Sequence, residues 1–161
     1  MENNYDRFRQ KVRDYIKYRP EYPEKMIEIL MEKLHLNKED VMADIGSGTG
    51  LSSKPFLENN FKVFAVEPNE EMREAAETLF KNNRNFVSVN GTSEHTQLDN
   101  ESIDVIFCGQ AFHWFDLEKT KPEFQRILKP GGNIVLAWNE RDTASPLQND
   151  YENILDRSIE E

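Results

Sequence analysis

Cysteine is almost absent: Cys108 is the single one in 161 residues, so an internal disulfide is excluded. Cys108 lies in an apolar run with no activating cation near it in sequence, which predicts a buried small hydrophobe in preference to a reactive thiol. Histidine is nearly as scarce. None of His35, His95 and His113 sits with cysteines or acids at metal-ligand spacing, so no metal site is expected. Positive charge is short as well. Twenty Lys and Arg against 30 Asp and Glu leave a net charge of -10, which disfavours nucleic acid or an anionic membrane as partner because both select basic surface. No signal peptide and no long apolar span are visible, making a cytoplasmic location the default expectation. The length suits one domain, 1–161, with a sizeable core.

Glycine is sparse too, with seven in all, yet three of them fall within five residues of Val41-Met-Ala-Asp-Ile-Gly-Ser-Gly-Thr-Gly50. An apolar run, an acid and then glycines, followed by a helical pattern, predict a buried strand turning sharply into a helix. Gly46, Gly48 and Gly50 would let a ligand lie against the backbone of that turn. Asp44 is costly to desolvate at the end of an apolar strand, so it either braces the loop or meets a polar ligand. Dinucleotide-binding turns read G-x-G-x-x-G; this spacing differs, which disfavours a nicotinamide-dependent oxidoreductase.

The rest of the chain alternates helix and strand. Residues 5–22 are rich in aromatic and basic side chains, with a helix expected over 4–17 that ends before Pro20. Pro23 opens a second helix, with Ile27, Leu30, Met31 and Leu34 toward the core. A helix to about Asn59 tolerates Pro55 only within or near its first turn. Strands are expected at 62–66, 86–89, 103–108 and 133–138. Asn69 caps a helix with Met72, Ala75, Ala76 and Leu79 inward. Asp116 caps another that holds Phe124, Ile127 and Leu128, and Pro130-Gly131-Gly132 breaks the chain after it. An amphipathic terminal helix is expected over 146–161. This alternation predicts an α/β fold: a parallel sheet with helices on both faces.

In such a sheet ligands bind beyond the carboxyl ends of the strands. Polar residues collect there: Asp44 and the glycine turn, Glu67, Thr92 to Glu94, Gln110 to Trp114, and Asn139 to Asp142. Glu67 stands about twenty residues beyond the glycine turn, where a carboxylate can accept hydrogen bonds from both hydroxyls of a ribose. Alternatively it is a helix-start acid favoured by the dipole. His113 is the one histidine near the site; it serves either as a general base or as part of the pocket wall between Phe112 and Trp114. The segment Phe112 to Phe115 lines a pocket or belongs to the core.

Asp44-x-Gly46-x-Gly48-x-Gly50 resembles the first motif of class I S-adenosylmethionine-dependent methyltransferases. Val66-Glu67-Pro68-Asn69 with Met72, Gly91-Thr-Ser-Glu94, Ser102-Ile-Asp-Val-Ile106, Gln110-Ala-Phe-His-Trp-Phe115 and Leu128-Lys-Pro-Gly-Gly132 look like the successive motifs of the small-molecule members, over roughly residues 10–145. With Tyr18-Arg-Pro-Glu-Tyr-Pro23, the chain is similar to the methyltransferase type 11 subgroup that includes trans-aconitate methyltransferase-like proteins. The resemblance implies a doubly wound, Rossmann-like sheet in the order 3-2-1-4-5, with S-adenosyl-L-methionine as cofactor and a small-molecule methyl acceptor. It implies Asp44, Gly46, Ser47, Gly48 and Gly50 under the methionine part, Glu67 on the ribose and Pro68 and Met72 beside the adenine. Thr92, Ser93 and Glu94 would lie toward the adenine amine, and Gln110 and Ala111 near the methionine end. Tyr18 or Arg19, from a cofactor-covering segment 1–22, would close over the carboxylate. His113 would be catalytic only for an acceptor that must lose a proton. The family fold continues with a sixth and seventh strand that this chain lacks, which predicts an exposed edge at Trp138 and a homodimer formed across it. The alternative to an enzyme is a non-catalytic cofactor-binding or interaction module left by loss of that part.

Overall fold

The computed structural model describes residues 22, 23 and 25–139. The expected helix over 4–17, Tyr18, Arg19 and the terminal helix over 146–161 lie outside the described residues. The elements run α1 (Lys25–Leu34), β1 (Val41–Ile45), α2 (Ser53–Glu58), β2 (Lys62–Val66), α3 (Glu70–Phe80), β3 (Phe86–Val89), β4 (Ile103–Gly109), α4 (Leu117–Ile127) and β5 (Leu128–Ala137). Among the described residues all pairings between strands are parallel, in the order β3-β2-β1-β4-β5. The order reverses between β1 and β4, and it matches the expected 3-2-1-4-5.

Parallel strands buried on both faces read as continuous apolar runs, with successive residues taking opposite sides. In β4, Ile106 and Cys108 join Ala43 and Ile45 beneath Phe124 and Ile127 of α4. Val105 and Phe107 join Met42 and Val63 beneath Ile27 of α1 and Phe56 and Leu57 of α2. Cys108 is fully buried, and burial above all raises its thiol far from ionisation. In α1, Ile27 is buried while Leu30, Met31 and Leu34 are half-buried. Pro55 occupies the first turn of α2, where its missing N–H costs nothing. Asn69 caps α3, its Oδ1 accepting the Met72 N–H at 3.0 Å.

Three local expectations are corrected. Leu79 is half exposed, at 50%; the inward face of α3 is carried by Ala76 and Phe80, which pack against Gly50. Leu128 belongs to β5 rather than to a helix, and Pro130–Gly132 bulge within that strand without ending it. Ile103 pairs with Leu128 and Val105 already with Asn133, so extra residues loop out, which suits a strand holding proline. Asp116 stands at the start of α4 but makes no side-chain cap there; its carboxylate pairs with Lys119 Nζ at 2.8 Å. Among the described residues β5 pairs only with β4, and Ile134 and Leu136 on it and Trp138 just past its end are exposed. No described helix is long and apolar enough to cross a membrane, and no cluster of His, Cys, Asp or Glu among the described residues could hold a metal ion.

Two buried carboxylates brace the framework with opposite consequences. Asp44 is fully buried in β1, and its Oδ2 accepts both Ser52 Oγ and Ser53 Oγ at 2.6 Å, tying the strand to the start of α2. Burial pushes its carboxyl from 3.8 to about 6 despite the two serines, with the charge of Glu67 adding to the rise. Glu123 of α4 accepts the Thr96 N–H at 2.8 Å and hydroxyl at 2.6 Å, and Arg126 grips both its oxygens at 2.7 and 2.8 Å. Hydrogen bonding from Arg126, helped by Thr96 and opposed by burial, holds this carboxyl at about 2, against the usual 4.5. A raised acid costs stability when ionised, so folding gains as pH falls from about 6 toward 3.8; for Asp44 the cost at neutral pH is about 3 kcal/mol. A depressed acid contributes stability above 4.5 that is lost as pH falls toward 2. Thermal melts across pH should therefore show Asp44→Asn flattening the gain between pH 7 and 4, and Glu123→Gln removing part of the loss below 4.5. Unchanged profiles in both variants would contradict these assignments.

Candidate active site at the strand tips

Ile45 pairs with Val66, so the turn after β1 and the acid after β2 leave the sheet side by side. The carbonyl of Val66 accepts the N–H groups of Gly46 at 2.9 Å and Ser47 at 3.2 Å, folding the turn back over the sheet. Gly46 has φ +72°, and a Cβ there would stand 2.6 Å from the Ala111 methyl. Only glycine meets both conditions. Gly50, at φ +83°, serves packing: a Cβ would strike the Phe80 ring at 2.6 Å.

Glu67 is 7% exposed and spans this junction. Its Oε2 accepts the Gly48 N–H at 2.9 Å, and its Oε1 accepts the Asn69 N–H at 2.9 Å. The second of these is the helix-start role expected as the alternative; the first shows that the side chain also turns toward the glycines. Two further segments close around them. After β3, Thr92 and His95 exchange backbone hydrogen bonds at 3.1 and 3.2 Å. The tight turn this makes is stapled to α4: Thr120 Oγ1 donates to Ser93 Oγ at 3.0 Å and the Asp116 N–H donates to Glu94 Oε1 at 3.1 Å. Burial pushes the Glu94 carboxyl up, but hydrogen bonds from Thr92, Asp116, its own N–H and Ser93 together hold it below its usual value. After β4, Gln110 takes a left-handed φ of +59° and donates its N–H to the Ala137 carbonyl at 2.9 Å. For a non-glycine residue this is a strained turn of the kind found at functional sites.

These segments surround an open cleft of about 770 Å³, within the range of small-molecule sites. Of the residues expected to touch a cofactor, Gly46 and Gly48 of the turn line it, with Glu67, Pro68 and Met72 beyond β2. Thr92, Ser93 and Glu94 line it from the third segment, and Gln110 and Ala111 from the fourth. Asp44 does not line it: it lies within β1, below the turn, in the bracing role. Ser47, 6% exposed, and Gly50 do not line it either, because one is tucked over the sheet and the other faces α3. His113 is exposed, its ring 5.1 Å from that of Trp114, and stays outside the lining. Tyr18 and Arg19 are outside the described residues.

The aromatic segment divides. Trp114, 81% exposed, lines the cleft; Phe115 lines it and also packs against the core; Phe112 packs against the core and the Trp138 ring without lining the cleft. Asn69, Gly91 and Gly109 also line it without having been singled out for that role. A signal for the two glycines was present: every glycine outside the Gly131-Gly132 pair stands at the carboxyl end of a strand.

Comparison with known proteins agrees with this geometry. The family profile described as a methyltransferase domain matches residues 43–136. An uncharacterized methyltransferase of Schizosaccharomyces pombe is 33% identical over 140 residues, covering 86% of this chain and 55% of that protein. One from Mycobacterium bovis is 34% identical over 128 residues, 80% of this chain and 50% of its own. A structure from Anaeromyxobacter dehalogenans, provisionally identified as a type II methyltransferase, superimposes with a TM-score of 0.73 at 27% identity, over 87% of this chain and 59% of that one. A geranyl diphosphate methyltransferase solved with S-adenosylmethionine shares the fold, with a TM-score of 0.63 at 19% identity over 71% of this chain and 48% of that one. The chain spans about half the length of the curated relatives it matches. By its matched domain and its relatives, this chain belongs to the class I S-adenosylmethionine-dependent methyltransferase family.

Proposed function

We propose that the cleft binds S-adenosyl-L-methionine and that the protein transfers its methyl group to a small-molecule acceptor. The observation that carries this is the Glu67 carboxylate, one residue past β2, lining the cleft beside a glycine turn whose backbone it holds. Gly46, Gly48, Glu67 and Met72 are the residues proposed to hold the methionine and nucleoside parts, with Thr92 to Glu94 at the base.

The residues present fit that cofactor. A carboxylate offers about four lone-pair sites, and two are spent on Gly48 and Asn69, which leaves acceptor capacity for a pair of ribose hydroxyls. A Cβ at Gly48 would stand 3.7 Å from Met72 Sδ, so its absence widens the space between the turn and α3. Asp44 Oδ1 is buried without a hydrogen-bond partner among the described residues, a negative charge at the end of β1, two residues ahead of the turn where a cationic ligand would lie.

S-adenosylmethionine supplies a methyl group already activated by its sulfonium. What remains for the chain is to orient the cofactor, hold the acceptor and exclude water. Gln110, Trp114 and Phe115, which line the cleft, are the residues proposed to face the acceptor. His113 stands outside the lining, so positioning alone is assigned to this segment and no base.

Calorimetry with S-adenosylhomocysteine should show binding by the parent protein and none with NAD. Glu67→Ala should weaken it by roughly 10- to 100-fold, the worth of one or two hydrogen bonds to a charged group; equal binding by that variant, or a preference for NAD, would remove the assignment. In a methyl-transfer screen of small molecules, His113→Ala should stay within a few-fold of the parent, while Trp114→Ala raises the acceptor KM. A drop of about 100-fold in kcat for His113→Ala is what a general base would give, and would restore that role.

A further inference from the structure

Glu67 is itself held. Arg73, on the first turn of α3, donates from Nη1 to the carbonyl of Glu67 at 2.9 Å and to that of Pro68 at 2.8 Å. One guanidinium nitrogen thus bridges two successive peptide planes at the point where β2 turns into α3. Pro68 fixes its own φ, and the Asn69 carbonyl accepts the Arg73 N–H at 3.1 Å in the helix. The elbow 67–69 is therefore closed on both sides by the same residue, through its main chain and through its side chain.

We propose that Arg73 is a positioning residue for the cleft: by clamping the Glu67 and Pro68 carbonyls it sets the orientation of the Glu67 carboxylate, and through that carboxylate the glycine turn. Arg73 does not line the cleft, so it acts through Glu67 and not on a ligand. The path is short and made of charge-assisted hydrogen bonds: guanidinium to the 67 and 68 carbonyls, then Glu67 Oε2 to the Gly48 N–H on the neighbouring element. A planar, always-charged donor suits the task better than a flexible ammonium. The consequence for nucleoside binding rests on the proposed cofactor; the effect on the turn does not.

The test has one arm for each. Arg73→Met keeps the aliphatic stem and removes the donors. Amide hydrogen exchange in the ligand-free protein should speed up at Gly48 in this variant, as in Glu67→Gln, while core strand amides and the melting temperature stay near the parent's. Arg73→Lys should fall between, and it carries the same comparison should the methionine variant unfold globally. Affinity for S-adenosylhomocysteine should fall about tenfold in Arg73→Met, and the loss should nearly vanish when Arg73→Met is added to Glu67→Gln, since coupled residues are not additive. Parent-like exchange at Gly48 overturns the proposal, and so do fully additive affinity losses. A parent protein that binds no S-adenosylhomocysteine but shows the Gly48 response would overturn the cofactor assignment and leave the Arg73 clamp standing.

Discussion

The hydrogen bond from the Gly48 N–H to the Glu67 carboxylate joins two segments that the sheet brings together only at their roots. Pairing of β1 with β2 ends at Ile45 and Val66; beyond it, each chain must find new partners for its backbone or leave donors unsatisfied, which is costly once water is excluded. The Val66 carbonyl takes two of the turn's N–H groups and Glu67 takes a third. A turn so tied needs no ligand to define its shape. That is the condition for binding without a large ordering cost.

Preorganisation concentrates negative charge in a small volume. Asp44 lies below the turn and Glu67 beside it, and the second raises the carboxyl of the first. Two serine hydroxyls offset part of the burial of Asp44, and backbone N–H groups solvate Glu67. The remaining cost is carried by the framework, chiefly the two apolar layers that bury both faces of the sheet. A cationic ligand would relieve that tension, whereas an anionic phosphate would add to it, so the electrostatics of the turn select in the same direction as its glycine spacing.

Much of this was legible in the sequence, for reasons that differ by residue. The strands and their parallel pairing follow from apolar runs alternating with amphipathic helices, their order comes only with the family resemblance, and the site follows from acids and glycines falling just after them. What escaped depends on contacts distant in sequence. Leu79 fits the helical period of α3 as well as Phe80 does, and only the docking of Phe80 against Gly50 decides between them. Pro130-Gly131-Gly132 carries the composition of a chain break. It becomes a bulge within β5 because Leu128 already pairs with Ile103, and because Gly132 passes where a Cβ would stand 3.0 Å from the Asp104 carbonyl. Asp44 and Glu67 look alike as acids at apolar strand ends. Asp44 pairs with Ala65, two residues short of Glu67, so two residues of register separate the buried brace from the cleft wall, and that register is set by pairing.

The two halves of the cleft differ in how firmly they are built. The segment 92–94 is stapled to α4 by Ser93 and Glu94, and α4 is locked in turn to Thr96 through Glu123. Across from it, Gln110 holds a left-handed backbone, and the 3₁₀ turn Phe112–Trp114 leaves Trp114 largely in solvent. A rigid half suits a ligand common to a whole family, because its geometry must not vary. The half built from a strained turn and an exposed aromatic can change with few consequences for the core, so under the proposed assignment it is the half where a different acceptor would be accommodated without disturbing the half proposed for the cofactor.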